Sequence, residues 1–268
     1  MKPLPQTDPW QMLRQHTAAR IAIGRCGASL PTHEVLAFGV AHAQARDAVH
    51  LLLDTAELHA EVSALGLTAL CVSSQAASRD VYLKRPDLGR LLSANSEQAL
   101  LDAAPQRGVG PRVIFVLADG LSALATTQHA IPLLQATLPL LDGWQIGPVI
   151  IAEQARVALG DPVARVLNAQ AVVVLLGERP GLSAADSLGA YLTYAPRPRT
   201  TDADRNCISN IRPEGLPYRV AAQKIAYLLN GARLLGCSGV RLKDNSEDET
   251  LPQLQTPPPT VPIQGDLV

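Results

Sequence analysis

The sequence predicts an α/β protein: an N-terminal mainly helical region followed by a Rossmann-like doubly wound parallel sheet domain. Three observations carry that expectation. Apolar runs rich in Val and Ile, at residues 112–118, 148–152, 171–176 and 239–242, read as strands buried on both faces. Helix-like stretches at 122–141, 156–168 and 217–235 separate them, the pattern of right-handed βαβ crossovers. Hydrophobic residues make up 47 % of the 268 residues and charged residues 18 %, which supports one large domain or such a domain with a smaller companion.

Residues 1–16 read as an N-terminal arm and residues 17–105 as the mainly helical region. The clearest helix there spans 35–53, where Leu36, Val40, Ala43, Asp47 and His50 fall on apolar and polar faces at helical spacing. Thr32, after Pro31, is its N-cap candidate. The run at 68–72 is β-like but short. Residues 106–243 carry the α/β domain. Residues 244–268 are acidic and then proline-rich (EDETLPQLQTPPPTVP) and read as a disordered tail.

Charge and composition exclude several functions. The formal net charge is −1, from 23 basic and 24 acidic residues, so no field favours nucleic acid or an anionic membrane. Aromatic residues, at 3 %, leave little to stack on bases. The opening MKPLPQTDPWQMLRQ lacks the apolar core of a signal peptide, and no apolar run reaches membrane-spanning length. The four cysteines form no CxxC pair and the six histidines no short cluster, which argues against a metal site or a disulfide framework. A reduced, soluble, cytoplasmic protein is expected.

In doubly wound sheets, ligands are held just beyond the carboxyl ends of the strands. Asp119-Gly120, Glu153-Gln154 and Glu178-Arg179-Pro180-Gly181 occupy those positions. Each taken singly also fits a helix cap or turn. Three acidic exits on one edge favour a site, together with the run DADRNCISNIRPEG at 202–215. That run holds three acids, two arginines, two asparagines and a lone cysteine, and neither helical nor strand periodicity sorts its apolar residues. It is expected to be a loop that holds a ligand or docks a partner.

The usual catalytic and phosphate-binding signatures are missing. The chain has no GxGxxG, no P-loop and no GxSxG elbow. No histidine follows His129, so Cys207 lacks a nearby base in sequence and reads as a small packing residue. The edge is a holder with little catalytic machinery of its own. A free-standing α/β protein that binds a nucleotide-like ligand is one alternative, and a spacer subunit is another.

The segments TAARIAIGRCG (17–27), SLPT (29–32), AHAQARDAV (41–49), YLKRPDLGR (82–90), DGLSALA (119–125), RVALGD (156–161), GERPGL (177–182), DSLGAYLTYAP (186–196) and TDADRNCISNIRPEG (201–215) span most of the chain. In this order they resemble the small (light) subunit family of ethanolamine ammonia-lyase. The resemblance implies a non-catalytic subunit of an adenosylcobalamin-dependent carbon–nitrogen lyase that converts ethanolamine to acetaldehyde and ammonia. It implies a hetero-oligomer in which a large subunit carries the catalytic residues and the cobalamin lies between the two. The family's cobalamin-contacting positions match Val157 in RVALGD, Glu178 in GERPGL and Cys207 in DRNCISN.

The residue types suit that role. Corrin carboxamides need both donors and acceptors; Glu178 can accept, while backbone at Val157 and Cys207 meets other amides. Read from the residues alone, Glu178 could equally be a turn acid paired with Arg179, and Val157 a core residue at a helix start. The chain has no DxHxxG motif, which fits a cofactor that keeps its own axial base. Two departures from the family stand out. Ala155 replaces a glycine common before Arg156, and only sixteen residues precede Thr17. The short N-terminus favours plain cytoplasm, with a bacterial microcompartment as the alternative.

Overall fold

The central strands form where the sequence is apolar without interruption. In this computed structural model, which describes residues 8–104 and 111–246, β2 (Arg112–Ala118) and β5 (Ala171–Gly177) lie side by side in the middle of the sheet. Every residue of β5 and all but the first of β2 are buried. Alternate side chains feed two cores. Phe115, Leu117, Val173 and Leu175 face α2 (Thr55–Ala64), α5 (Ala123–Thr137) and α7 (Tyr218–Leu235). Ile114, Val116, Val172 and Val174 face α4 (Ala94–Asp102) and α6 (Gly160–Val166). The other strands are β1 (Ala69–Ser73), β3 (Gln145–Ile146), β4 (Val149–Glu153), β6 (Leu188–Tyr194) and β7 (Arg205–Ile211).

The sheet is mixed but mostly parallel. Its order is β1-β4-β2-β5-β6-β7, with β3 beside β2. The pairings among β1 to β5 are parallel, whereas β6 and β7 add antiparallel to the β5 edge. The expected all-parallel sheet is therefore corrected at one side, and the run at 202–215 is an edge strand over half its length, not a loop. The reason lies in a β-bulge. The register slips between Ala190↔Ile208 and Leu188↔Ile211, and Asn210 takes a positive φ of 59°. The extra residue lets Ile208 and Ile211 both turn inward although they are three apart, a spacing that hides a strand's alternation.

The expected strand at 239–242 is also corrected: Gly239–Arg241 is a 3-10 turn. Gly239 has φ +74°, and a Cβ there would collide with the carbonyl oxygen of Ala203. The Asn206 side chain ties the turn down, accepting from Gly239 N–H at 2.8 Å and donating to Leu242 O at 2.9 Å. Smaller shifts occur elsewhere. The helix expected at 35–53 is α1 (Thr32–His50), with Pro31 in place of Thr32 at its N-cap. The helix expected at 156–168 divides into a 3-10 turn, Val157–Leu159, and α6. The expected tail begins with Asp244 paired to Lys224 at 3.1 Å, and residues 247–268 lie outside the described residues. No described helix is long and apolar enough to cross a membrane.

The β2 exit organises its surroundings. Asp119 is buried and accepts from the backbone N–H groups of Gln154 and Ala155, each at 2.9 Å, so it clamps the loop after β4. Its other partner is Arg79 of α3 (Arg79–Lys84), 3.1 Å away, which also donates to Gly120 O and to Val49 O at the end of α1. Gly120 is required here because its φ is +54° and a Cβ would strike the Gly177 carbonyl oxygen. Burial pushes the Asp119 carboxyl up to about 6, against the hydrogen bond from Ala155 and the charge of Arg79, which pull it down.

Asp119→Ala leaves Arg79 buried and unpaired, and is expected to cost about 3–5 kcal/mol in urea unfolding. A raised carboxyl value in the folded state makes the stability contribution greatest below the ordinary value of 3.8 and lost as pH rises through about 6. The stability advantage of the native chain over Asp119→Asn should therefore shrink across that window, as paired urea titrations would register.

Candidate functional site

Beyond the carboxyl ends of β2, β4 and β5 lies an open cavity of about 810 Å³. Val157, Glu178 and Cys207, far apart in sequence, all line it. Each arrives by a different local device. Val157 opens the 3-10 turn after β4, in the loop that Asp119 clamps. Glu178 follows the last residue of β5. Cys207 lies on β7, directly opposite Tyr191 of β6.

Glu178 is held by hydroxyl and backbone donors. Ser187 and Ser209 each donate to it at 2.5 Å, and the Asn210 N–H donates at 3.2 Å. Two of these donors sit on the bulge of β7, so the irregularity that disguises the strand also orients the carboxylate. Among the described residues Glu178 makes no ion pair, with Arg179 or any other cation. A carboxylate offers about four acceptor positions, so three donors leave room for another.

Cys207 is open to the cavity, yet the protein packed around its sulfur pushes the thiol up, with the Glu178 charge acting in the same direction and a Tyr191 hydrogen bond opposing. The sulfur is a protonated thiol at neutral pH, poorly suited as a nucleophile or metal ligand. Tyr191 is pushed up by burial first and by the neighbouring Cys207 and Glu178 next. Leu121, Leu176, Val157 and the Tyr191 side chain supply apolar lining.

The cavity wall is completed by residues that sequence reasoning did not single out. Arg205 is buried and bidentate on Asp161, at 2.7 and 2.8 Å, and it donates to Thr193 as well, joining β7 to α6. Asp202 receives Arg205 at 3.4 Å and Arg90 at 3.7 Å. Pro86 and Arg90 come from outside the 106–243 segment, within the motif RPDLGR, which was the available signal for them.

The other expected acidic exits do not enter the cavity. Asp119 is consumed by the clamp, and Glu153 points elsewhere on the exposed surface. His129 is also remote from the lining, held between Tyr218 at 2.7 Å and Asp186 at 3.3 Å. No group of three or more potential metal-binding side chains occurs among the described residues.

Comparison with known proteins gives this geometry a family. Residues 7–243 match the ethanolamine ammonia-lyase light chain family. Proteins named ethanolamine ammonia-lyase small subunit are similar throughout. The one from Ralstonia nicotianae is 54 % identical over 242 residues, and that from Azotobacter vinelandii 52 % over 242, each covering 90 % of both chains. The one from Xanthomonas campestris is 52 % identical over 245 residues, covering 91 % of this chain and 90 % of its own. A match over so much of the chain, at half identity, leaves one conclusion: this chain belongs to the ethanolamine ammonia-lyase light chain family.

Proposed function

We propose that this chain, as the small subunit of an ethanolamine ammonia-lyase, forms one wall of an adenosylcobalamin site and meets its large subunit around that cofactor. The observation that carries the reading is the convergence of Val157, Glu178 and Cys207 on one cavity from three separate elements. Adenosylcobalamin, when bound, supplies the radical chemistry that turns ethanolamine into acetaldehyde and ammonia.

The donor set suits such a guest. The corrin rim carries carboxamides, which present N–H donors and carbonyl acceptors together. Glu178 has acceptor capacity left after its three donors, so an amide N–H can join it in a charge-assisted bond. Val157, Leu121 and Leu176 offer an apolar surface to the macrocycle. Cys207, as a neutral thiol, packs against the guest and does not ligate cobalt. The serines that hold Glu178 fix its direction before a guest arrives, which lowers the ordering cost of binding.

Two further features support a heteromer. The cavity is open on one side, so a molecule as large as a corrinoid would need a second protein surface to cover it. α1 leaves Leu36 and Val40, one turn apart on the same face, at 65 and 58 % exposure, an apolar pair of the kind found at a protein–protein contact. The catalytic residues are assigned to the large subunit. The 106–243 segment would then be the cobalamin-contacting domain, Rossmann-like and doubly wound apart from its antiparallel edge, in an enzyme of the cytoplasm, free or inside a microcompartment.

Mixing the chain with its large subunit, ethanolamine and adenosylcobalamin should yield acetaldehyde at a rate neither subunit reaches alone; no gain on mixing would sink the reading. In the assembled enzyme, Glu178→Ala is expected to raise the apparent cofactor constant about tenfold with little change in melting temperature. An unchanged constant would remove Glu178 from the cofactor's contacts.

A further inference from the structure

Arg156 lines the same cavity, yet among the described residues no carboxylate pairs with its charge. Its Nε is shut away from solvent without a hydrogen-bond partner. Its guanidinium makes no ion pair or side-chain hydrogen bond among the described residues. It is nevertheless fixed. The guanidinium carbon sits 4.6 Å from the centre of the Tyr82 ring, and Arg79 contacts the same ring at 5.0 Å.

Tyr82 is itself fully buried and anchored by donating to Ala155 O at 2.9 Å. The Arg156 N–H donates to Gly89 O at 2.8 Å. Gly89 is what allows this packing. A Cβ there would lie 2.8 Å from the Tyr82 ring and 3.0 Å from Arg156 Cγ. The glycine of RPDLGR thus permits the stack that holds Arg156 at the cavity.

A rigid, unpaired guanidinium at the wall of a cavity calls for an acceptor from outside the chain. The charge of the cavity says which kind. Its acids are already engaged: Asp202 with Arg205 and Arg90, and Glu178 with three donors. Arg156 and Arg179 are left without a carboxylate among the described residues. A neutral amide would leave that charge uncompensated, whereas a phosphate oxygen pair matches the planar fork of arginine.

We propose that Arg156, stacked on Tyr82 beside Gly89, binds the phosphate of a phosphate-bearing corrinoid. The inference rests on the cavity being the cobalamin site, and the phosphate concerned is the diester of the nucleotide loop.

The test uses the complex with the large subunit and reads corrinoid binding by absorbance after equilibrium dialysis, without turnover. The probes are cyanocobalamin, cobinamide phosphate and cobinamide, of which only the last lacks phosphate. Arg156→Gln should weaken cyanocobalamin and cobinamide phosphate about tenfold and leave cobinamide unchanged, with Arg156→Lys falling between. Equal weakening of all three probes would assign Arg156 to the corrin rim, and no weakening of any would remove it from the site; either overturns the proposal.

Should Arg156→Gln fail to assemble, Arg156→Lys alone decides, because a lost fork with a kept charge must still separate the probes. If the unmodified complex binds no probe, the cobalamin reading itself fails; a bound probe with unaltered variants fails only the role of Arg156.

Discussion

The carboxylate of Asp119 is the constraint from which the site follows. It stands at the end of a central strand, where a doubly wound sheet would ordinarily aim a polar group at a ligand. Here it turns instead to two backbone N–H groups of the next loop and to Arg79. Three elements that share no sequence neighbourhood are tied at this point: the end of α1 through Val49, the helix carrying Arg79, and the turn that begins with Val157. The burial that raises its carboxyl value disfavours its charge, and the polar contacts keep that charge tolerable. The clamp fixes the start of the turn that carries Arg156 and Val157, and the Arg156 N–H bond to Gly89 O holds the same turn from the other side. The position of Ala155 inside the clamp also bears on its replacement of a glycine: its N–H bonds Asp119, and the positive φ in this loop falls on Gln154 instead.

The second constraint is the bulged edge. An edge strand exposes unpaired backbone groups and is normally blunted by charge or irregularity. β7 has the irregularity, since its one charged residue, Arg205, is buried, and that irregularity is put to use. Its extra residue brings Ser209 and the Asn210 N–H to Glu178, while its first residue, Arg205, is locked to Asp161 on α6. One end of the strand is thereby anchored in the buried layer, and the other shapes the cavity wall. Cys207 sits between those anchors.

The strands at 112–118 and 171–176 were legible in the sequence because both of their faces are buried, and two buried faces demand an unbroken apolar run. The helix that follows the first of them, α5, falls inside the helical stretch expected at 122–141. The antiparallel pair was not legible. β7 has only two isoleucines among polar residues, and the bulge removes the alternation that would have revealed it. At 239–242 a Val-containing run resembles a strand, but Gly239 must take a left-handed conformation to pass Ala203. Site residues followed the same divide. Glu178 could be placed by its position after a strand, whereas Asp119 occupied the same kind of position and serves the fold. Only tertiary contacts distinguish the two. Arg156 and Arg205 were hidden because a lone arginine in sequence gives no sign of whether it will be paired.

Under the proposed function, the cavity's polar groups would let a light chain hold a reactive cofactor without reacting itself. A group that transfers protons must be free to change its bonding as the reaction proceeds. Here Glu178 is oriented by three neutral donors, Arg205 is fixed by a bidentate partner, and Cys207 is kept as a thiol. The nearest imidazole in sequence, His129, is held outside the lining by Tyr218 and Asp186. The wall therefore contains oriented acceptors and a fixed cation but no poised base. Such a surface favours binding and orientation over chemistry. What such a wall can give a guest is direction and charge, each fixed before the guest arrives.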